Sequence, residues 1–400
     1  MTEPAPAAPG PVSEPAAEPS PPPISRAKKL LFAGVLLCGF LLVLEVVLRV
    51  THLFGARVAW TEPDPRIGWR FTPGRDYWFQ LENDHPITGV INAHGWRDRE
   101  WTLEKPAGTL RVAVLGDSMV EAFQVEPERT FLALTERQWN GRRLPRIEVM
   151  NFGRSGCTQS EELLILEHDV DRFAPDVVVL VFTPQNDIQD VRPETSSSPL
   201  RPYYAPSADG TLTLDTSYTS TRGYRVRRFI NPFKQHSAIV SLVCERWNAI
   251  QEARQAYLQG GAEGRSGLDL SGYLSLCTAK PDRGWAAAYA VNKGLIGAIA
   301  RHCGERNRKL LIVVADLAAY LPEVEREWKA AEPSLDPNFF EDDLTAFARS
   351  LGAEVLGLQR VFRRVSEERD EPLHWAHWNY AGHEVVAREL VQALERMLGS

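Results

Sequence analysis

Four short runs of branched apolar residues, RVAVL (111–115), IEVMNF (147–152), DVVVLVF (176–182) and KLLIVV (309–314), limit what this chain can fold into. Apolar runs of this length read as strands buried on both faces. AEVLGL (353–358) is a weaker fifth. Between most of them lie stretches of helical length and period. These are Phe131 to Asn140, Ser160 to Asp171 and the longer Trp285 to Cys303, with a terminal helix expected from Gly382 to Met397. Strands alternating with helices predict a mainly parallel sheet covered on both faces, an α/β protein. Ligands of such sheets bind at the carboxyl ends of the strands.

The first fifty residues belong to no such sheet. Residues 1–25 are mostly Pro, Ala, Ser and Glu and cannot bury enough apolar surface to offset chain entropy, so a disordered tail is expected there. Leu30 to Leu44 carries no charge, and the apolar character continues to Val50 with only Glu45 and Arg49 intervening. A bilayer core of ~30 Å needs ~20 helical residues. Glu45 and Arg49 are four apart and can pair on one helix face. The segment 26–52 therefore reads as one transmembrane signal-anchor. The alternative is a cleaved signal peptide, against which stand the long preceding tail and the lack of a small-x-small site after Leu44. Arg26, Lys28 and Lys29 favour a cytoplasmic N-terminus, with everything beyond residue 52 outside the cytoplasmic membrane, in the periplasm. Arg57, Arg66 and Arg70 on the far side weaken that orientation.

A net charge of −7 leaves no basic footprint for nucleic acid. Of five cysteines, Cys38 falls in the apolar segment. Cys157, Cys244, Cys277 and Cys303 can pair three ways, with Cys244–Cys277 or Cys277–Cys303 expected because Cys157 adjoins a candidate site. Residues 56–108, rich in Trp, Phe and Tyr, predict a small β-rich preface to a main domain at 109–400. Residues 188–283 form an insertion that shapes specificity. It holds a hairpin signal at Asp209-Gly210 and a helix from about Ser237, on which Ile239, Leu242, Val243, Trp247 and Ile250 recur at helical spacing.

The chemistry-bearing residues sit where the strands end. Gly116-Asp117-Ser118 follows the first strand, where a serine on a strand-to-helix turn projects its hydroxyl into a cleft or else caps the helix. NFGRSG (151–156) closes the second strand with glycines that let backbone N–H groups approach a ligand. TPQND (183–187) closes the third with an Asn that can donate to a developing oxyanion. HWAHWNYAGHEVVAREL (374–390) places His374, His377 and His383 before or within the last helix. A metal reading of those histidines fails for want of a carboxylate cluster, and neither metal nor cofactor is expected.

Taken in order, these blocks resemble the SGNH/GDSL hydrolase family, in particular its membrane-anchored bacterial members. The resemblance covers roughly residues 110–187 and 285–398. It implies a flavodoxin-like three-layer α/β/α fold. Ser118 would be the nucleophile and His377 its base. The N–H groups of Ser118 and Gly156, with the Asn186 side chain, would form the oxyanion hole. Two positions depart from the family pattern. An Asp usually stands three residues before the histidine, and here that residue is His374, with Glu371 and Asp370 nearby as possible acids. A Ser–His dyad, or His374 acting as the base, are alternatives. Pro184-Gln185 replaces the glycine that many members carry before the Asn.

Three functions follow from the resemblance. One is a serine esterase removing acyl groups, acetyl above all, from an envelope or secreted polysaccharide or from small esters. The second is an O-acyltransferase using the same serine on a sugar acceptor. The third is a catalytically weak glycan-binding or assembly component, for which the absent Asp speaks.

Overall fold

A computed structural model describes residues 25–51, 57–58, 60–196, 198, 200–207, 211–258, 268–369 and 371–399. The expected tail lies outside the described residues apart from Ser25, as do Asp209-Gly210 and Asp370. The chain divides into two compact units, Met1–Leu53 and Phe54–Ser400. In the first, α1 (Arg26–Thr51) is long and apolar enough to cross a membrane. Arg49 and Glu45 pair across one turn at 2.7 Å, as their spacing predicts.

The second unit begins with five short strands: β1 (Arg57–Val58), β2 (Thr61–Asp64), β3 (Gly68–Phe71), β4 (Asp76–Phe79) and β5 (Ile87–Val90). β1, β4 and β5 form one antiparallel sheet, and β2 pairs with β3. Too small for a core of their own, they close around a residue of the main domain. Phe71, Tyr77 and Phe79 pack on Phe123, with ring centroids 5.7, 4.8 and 5.6 Å away.

The main sheet follows the apolar runs. Its first strand, β6 (Thr109–Gly116), leads through the one-turn helix α2 (Ser118–Glu121) to α3 (Phe131–Asn140). Next come β7 (Arg146–Gly153), α4 (Gln159–His168), β8 (Val177–Phe182) and α5 (Pro184–Asp190). The insertion adds the antiparallel pair β9 (Tyr203–Pro206) and β10 (Leu212–Asp215), then α6 (Arg222–His236) and α7 (Ala238–Leu258). The chain returns through α8 (Arg283–Glu305), β11 (Lys309–Val314), α9 (Pro322–Ala331) and α10 (Phe339–Ser350). It ends with β12 (Glu354–Gly357), α11 (Gln359–Arg369) and α12 (Tyr380–Leu398). The helix expected over Ser160 to Asp171 stops at His168, and a 3-10 turn at Val170–Phe173 takes over.

The strand order is β12-β11-β8-β6-β7, and every pairing is parallel. In chain order this is 2-1-3-4-5, the flavodoxin-like arrangement, with its switch point between β6 and β8. The strands alternate between two cores at a period of two. Ala113, Leu115, Val178, Leu180 and Ile312 join α4, α8 and α10 on one face. Val112, Val114, Val179, Val181 and Leu311 join α3, α11 and α12 on the other. The fold is thus the three-layer α/β/α sandwich that the apolar runs and the family resemblance imply.

Neither expected disulfide forms, and all five cysteines are free thiols. Cys157, Cys277 and Cys303 are buried, and burial pushes the Cys277 and Cys303 thiols up to about 12. As buried thiols they pack like small apolar residues.

α2 lies so close to the end of β7 that only a glycine fits between them. A methyl group on Gly153 would stand 2.4 Å from the Glu121 nitrogen and 2.6 Å from the Val120 carbonyl carbon. Gly153→Ala is expected to destabilise the fold by ~1–3 kcal/mol through overpacking, seen as a lower urea midpoint at constant m-value. An unchanged midpoint would show that the helix yields freely.

Candidate active site

The turn after β6 is built by its own sequence. Asp117 caps α2, its Oδ1 accepting the Met119 N–H at 2.9 Å. Ala122, with φ of 55°, ends the helix after one turn in the left-handed region. Such a conformation is sparsely populated for a residue with a side chain and is held by its surroundings. Buried Arg97 supplies them, donating to the Glu121 carbonyl at 3.0 Å and to the Val125 carbonyl at 2.6 Å. Ser118 therefore stands at the first position of a short, fixed helix at the carboxyl edge of the sheet. Helix cap and presented serine are both realised, on neighbouring residues.

His377 meets Ser118 from the loop before α12. The loop folds back on itself: Trp375 N–H donates to the His377 carbonyl at 2.8 Å, and Asn379 N–H to the Leu373 carbonyl at 3.0 Å. His377 Nε2 lies 2.8 Å from Ser118 Oγ. Its other nitrogen, Nδ1, is 2.6 Å from Oε1 of Glu82. Glu82 Oε2 accepts the backbone N–H groups of His377 at 2.9 Å and Ala376 at 3.1 Å. With a carboxylate at Nδ1 the proton resides there, leaving Nε2 to accept from the serine.

The carboxylate that meets His377 is that of Glu82, none of the residues expected there. His374 does not orient His377; its Nε2 lies 2.9 Å from buried Asp316, whose other oxygen accepts from Trp378 Nε1 at 3.1 Å. Nor does His374 meet the serine, whose Oγ lies against His377. Glu371 is exposed, and the carboxylate on His377 belongs to Glu82. His383 faces yet another way, its Nδ1 accepting the Phe131 N–H at 3.1 Å. Burial keeps that ring neutral, its pKa pushed down to about 3. The three histidines thus diverge to three separate partners.

Glu82 arrives on the β4–β5 connection, far from the motif blocks in sequence. Neighbouring residues fix that loop: Asn83 Nδ2 donates to the Tyr380 hydroxyl at 2.7 Å, and His85 Nε2 lies 3.0 Å from Glu126. Nothing in the run QLENDH distinguishes Glu82 from an ordinary surface glutamate, so sequence reading missed it. The one available signal was the aromatic preface, whose packing on the main domain brings a remote loop to the sheet edge.

Burial works against charge on both partners, yet the contact outweighs it. The Glu82 carboxyl is held below its ordinary value because its hydrogen bonds from the His377 ring and backbone exceed the burial penalty. His377 is shifted up: burial favours the neutral ring, but the Glu82 hydrogen bond and charge, with Asp117 and Glu121 beyond, favour the imidazolium more.

Gly156 and Asn186 stand on the turns after β7 and β8. Gly156 has φ of 71°, a conformation that suits glycine, and buried Arg201 of the insertion holds its carbonyl. Arg201 is itself fixed by Glu161 at 2.7 Å and Asp190 at 3.1 Å. Asn186 Nδ2 donates to Asp117 Oδ2 at 2.6 Å, so the residue that caps α2 also aims the amide. Asn186 is half-buried, and an amide has a second N–H to offer. Pro184 begins α5 at a position where a missing N–H costs nothing, so the departure from glycine is absorbed locally. Burial, and the charge of Asp117, push the carboxyl of Asp187, beside Asn186, well above its ordinary range.

No protein-family model matches this chain, and no curated protein matches it in sequence. Among solved structures, TesA is similar over 72% of this chain and 99% of its own, at 12% identity and a TM-score of 0.38. The acetyl xylan esterase AlAXEase is similar over 71% and 100%, at 14% identity and 0.40. A lipase/acylhydrolase from Enterococcus faecalis is similar over 72% and 96%, at 13% identity and 0.37.

The Glu82–His377 contact can be tested directly by proton NMR of the histidine rings. The His377 pKa should lie above the ordinary imidazole value of ~6.5 and drop in Glu82→Gln, where the Glu82 charge no longer opposes burial. Equal values in both proteins would show that the contact is absent in solution.

Proposed function

We propose that this chain is a serine ester hydrolase of SGNH type, and the observation that carries the proposal is the line Ser118–His377–Glu82, with links of 2.8 and 2.6 Å. His377 Nε2 takes the Ser118 proton as Oγ attacks the ester carbonyl. The tetrahedral oxyanion faces the Ser118 and Gly156 N–H groups and the free Asn186 N–H. Collapse expels the alcohol, which leaves with the proton from His377. Water, deprotonated by the same imidazole, then releases the acid and restores the serine. Glu82 stays ionised throughout, holding the tautomer and offsetting the imidazolium charge. A weakened binding-only role loses its main support, because an acid is present after all.

The substrate class we propose is an acyl ester, acetyl above all, of an envelope or secreted polysaccharide. Exposed Trp375, two residues from His377 and edge-on to Tyr380 at 5.4 Å, offers a flat face on which a sugar ring can stack. α1 would tether the enzyme to the cytoplasmic membrane with the catalytic unit in the periplasm. Transfer of the acyl group to a sugar hydroxyl would use the same residues with a different acceptor.

A fluorophosphonate probe should label the wild-type serine and fail on Ser118→Ala; labelling that persists in this variant would sink the proposal. On a short activated ester, Asn186→Ala should lower kcat by ~10²-fold or more with little change in KM, because an oxyanion donor acts in the transition state. The acidic limb of kcat/KM should lie above the ordinary imidazole value and move to lower pH in Glu82→Gln, together with a fall in kcat of up to ~10⁴-fold. An unmoved limb would remove Glu82 from the mechanism. Product analysis with and without a sugar acceptor separates hydrolysis from transfer.

A further inference from the structure

The insertion carries a surface that the proposed chemistry does not use. α6 reads RGYRVRRFINPFKQH, with five Arg or Lys and no Asp or Glu. Val226, Phe229 and Phe233, at helical spacing, are 45%, 73% and 57% exposed. Exposed Arg222 and Arg225 share that side of the helix. The opposite side is committed to the fold: Tyr224 is buried against Tyr218, and Gln235 donates to Thr72 Oγ1 at 2.7 Å and to the Thr61 carbonyl at 3.3 Å. α7, packed against α6, repeats the apolar part of the pattern, with Val243, Trp247 and Ile250 at 62%, 63% and 59% exposure, but balances Arg246 with Glu245.

Large apolar side chains held in water on two adjoining helices call for an apolar phase, and the basic residues say of which kind. The chain as a whole carries −7, so an all-positive helix runs against its overall sign. A second copy fits poorly, because a two-fold contact would set this basic helix against its own image. An anionic bilayer surface meets both demands, with phosphates for the arginines and an acyl boundary for the rings. The same chain holds a helix long enough to cross a bilayer, and Thr61, which receives α6, is only ten positions beyond the end of that helix at Thr51.

We propose that the α6–α7 face rests on an anionic lipid surface, with Phe229, Phe233 and Trp247 entering the interface and Arg222 and Arg225 meeting lipid phosphates. The test uses full-length protein in detergent and in nanodiscs of phosphatidylcholine alone or mixed equally with phosphatidylglycerol, read by amide hydrogen exchange over residues 222–250. Exchange should slow about tenfold in the anionic discs relative to the neutral ones and recover at high salt. Phe229→Ser with Phe233→Ser, and separately Arg222→Glu with Arg225→Glu, should each abolish the slowing. Both pairs change exposed positions and should keep the wild-type unfolding midpoint in detergent, which separates lost docking from lost folding. Equal exchange in both kinds of disc overturns the proposal. Protection that appears in detergent and grows with protein concentration overturns it in favour of self-association.

Discussion

A parallel sheet gathers the carboxyl ends of its strands along one edge, and the candidate site depends on that constraint. With β6 and β8 side by side at the switch point, the turns that follow them adjoin, and Asp117, the neighbour of Ser118, accepts from Asn186 Nδ2 at 2.6 Å. β7, on the other flank of β6, adds the Gly156 turn. The local devices are modest: a cap, a left-handed alanine, a glycine with no room for a methyl group. They work because the strand order has already placed three turns side by side.

Glu82 obeys a different logic. It is delivered by a small antiparallel appendage whose own core is too thin to stand alone and is completed by Phe123, just beyond the serine helix. Arg97 reinforces the junction from within, its guanidinium satisfying two carbonyls at the exit of α2 while stacking on Tyr77 and Phe123. An uncompensated buried arginine would be costly, so the geometry of the serine turn and the docking of the appendage stand or fall together.

This division explains what could be read from the sequence. The strands announced themselves because burial on both faces leaves unbroken apolar runs, as in Val177–Phe182, where every residue is buried. The placement of Ser118, Gly156, Asn186 and His377 beside strand or helix ends was legible because short-range turn chemistry fixes it there. Glu82 was not, since its role comes from a contact 295 residues away in sequence, with no local signature to mark it. His374 misled for the same reason. Its partner Asp316 lies 58 residues away, and spacing alone suggested a broken acid where the structure shows a second, separate histidine–carboxylate pair. On α7, helical spacing of Val243, Trp247 and Ile250 identified a face correctly but said nothing about which medium it meets.

The long reach between Glu82 and His377 also orders events in time. Glu82 lies near the start of the second unit and His377 near its end, so the hydrogen bond between them joins early and late parts of that unit as it is synthesised. A nascent chain can form the β6 turn and expose Ser118 well before His377, the histidine that meets it in the folded protein, has been synthesised. On the proposed chemistry the nucleophile would therefore be born dormant, gaining its base only when the last loop closes onto the Glu82 loop.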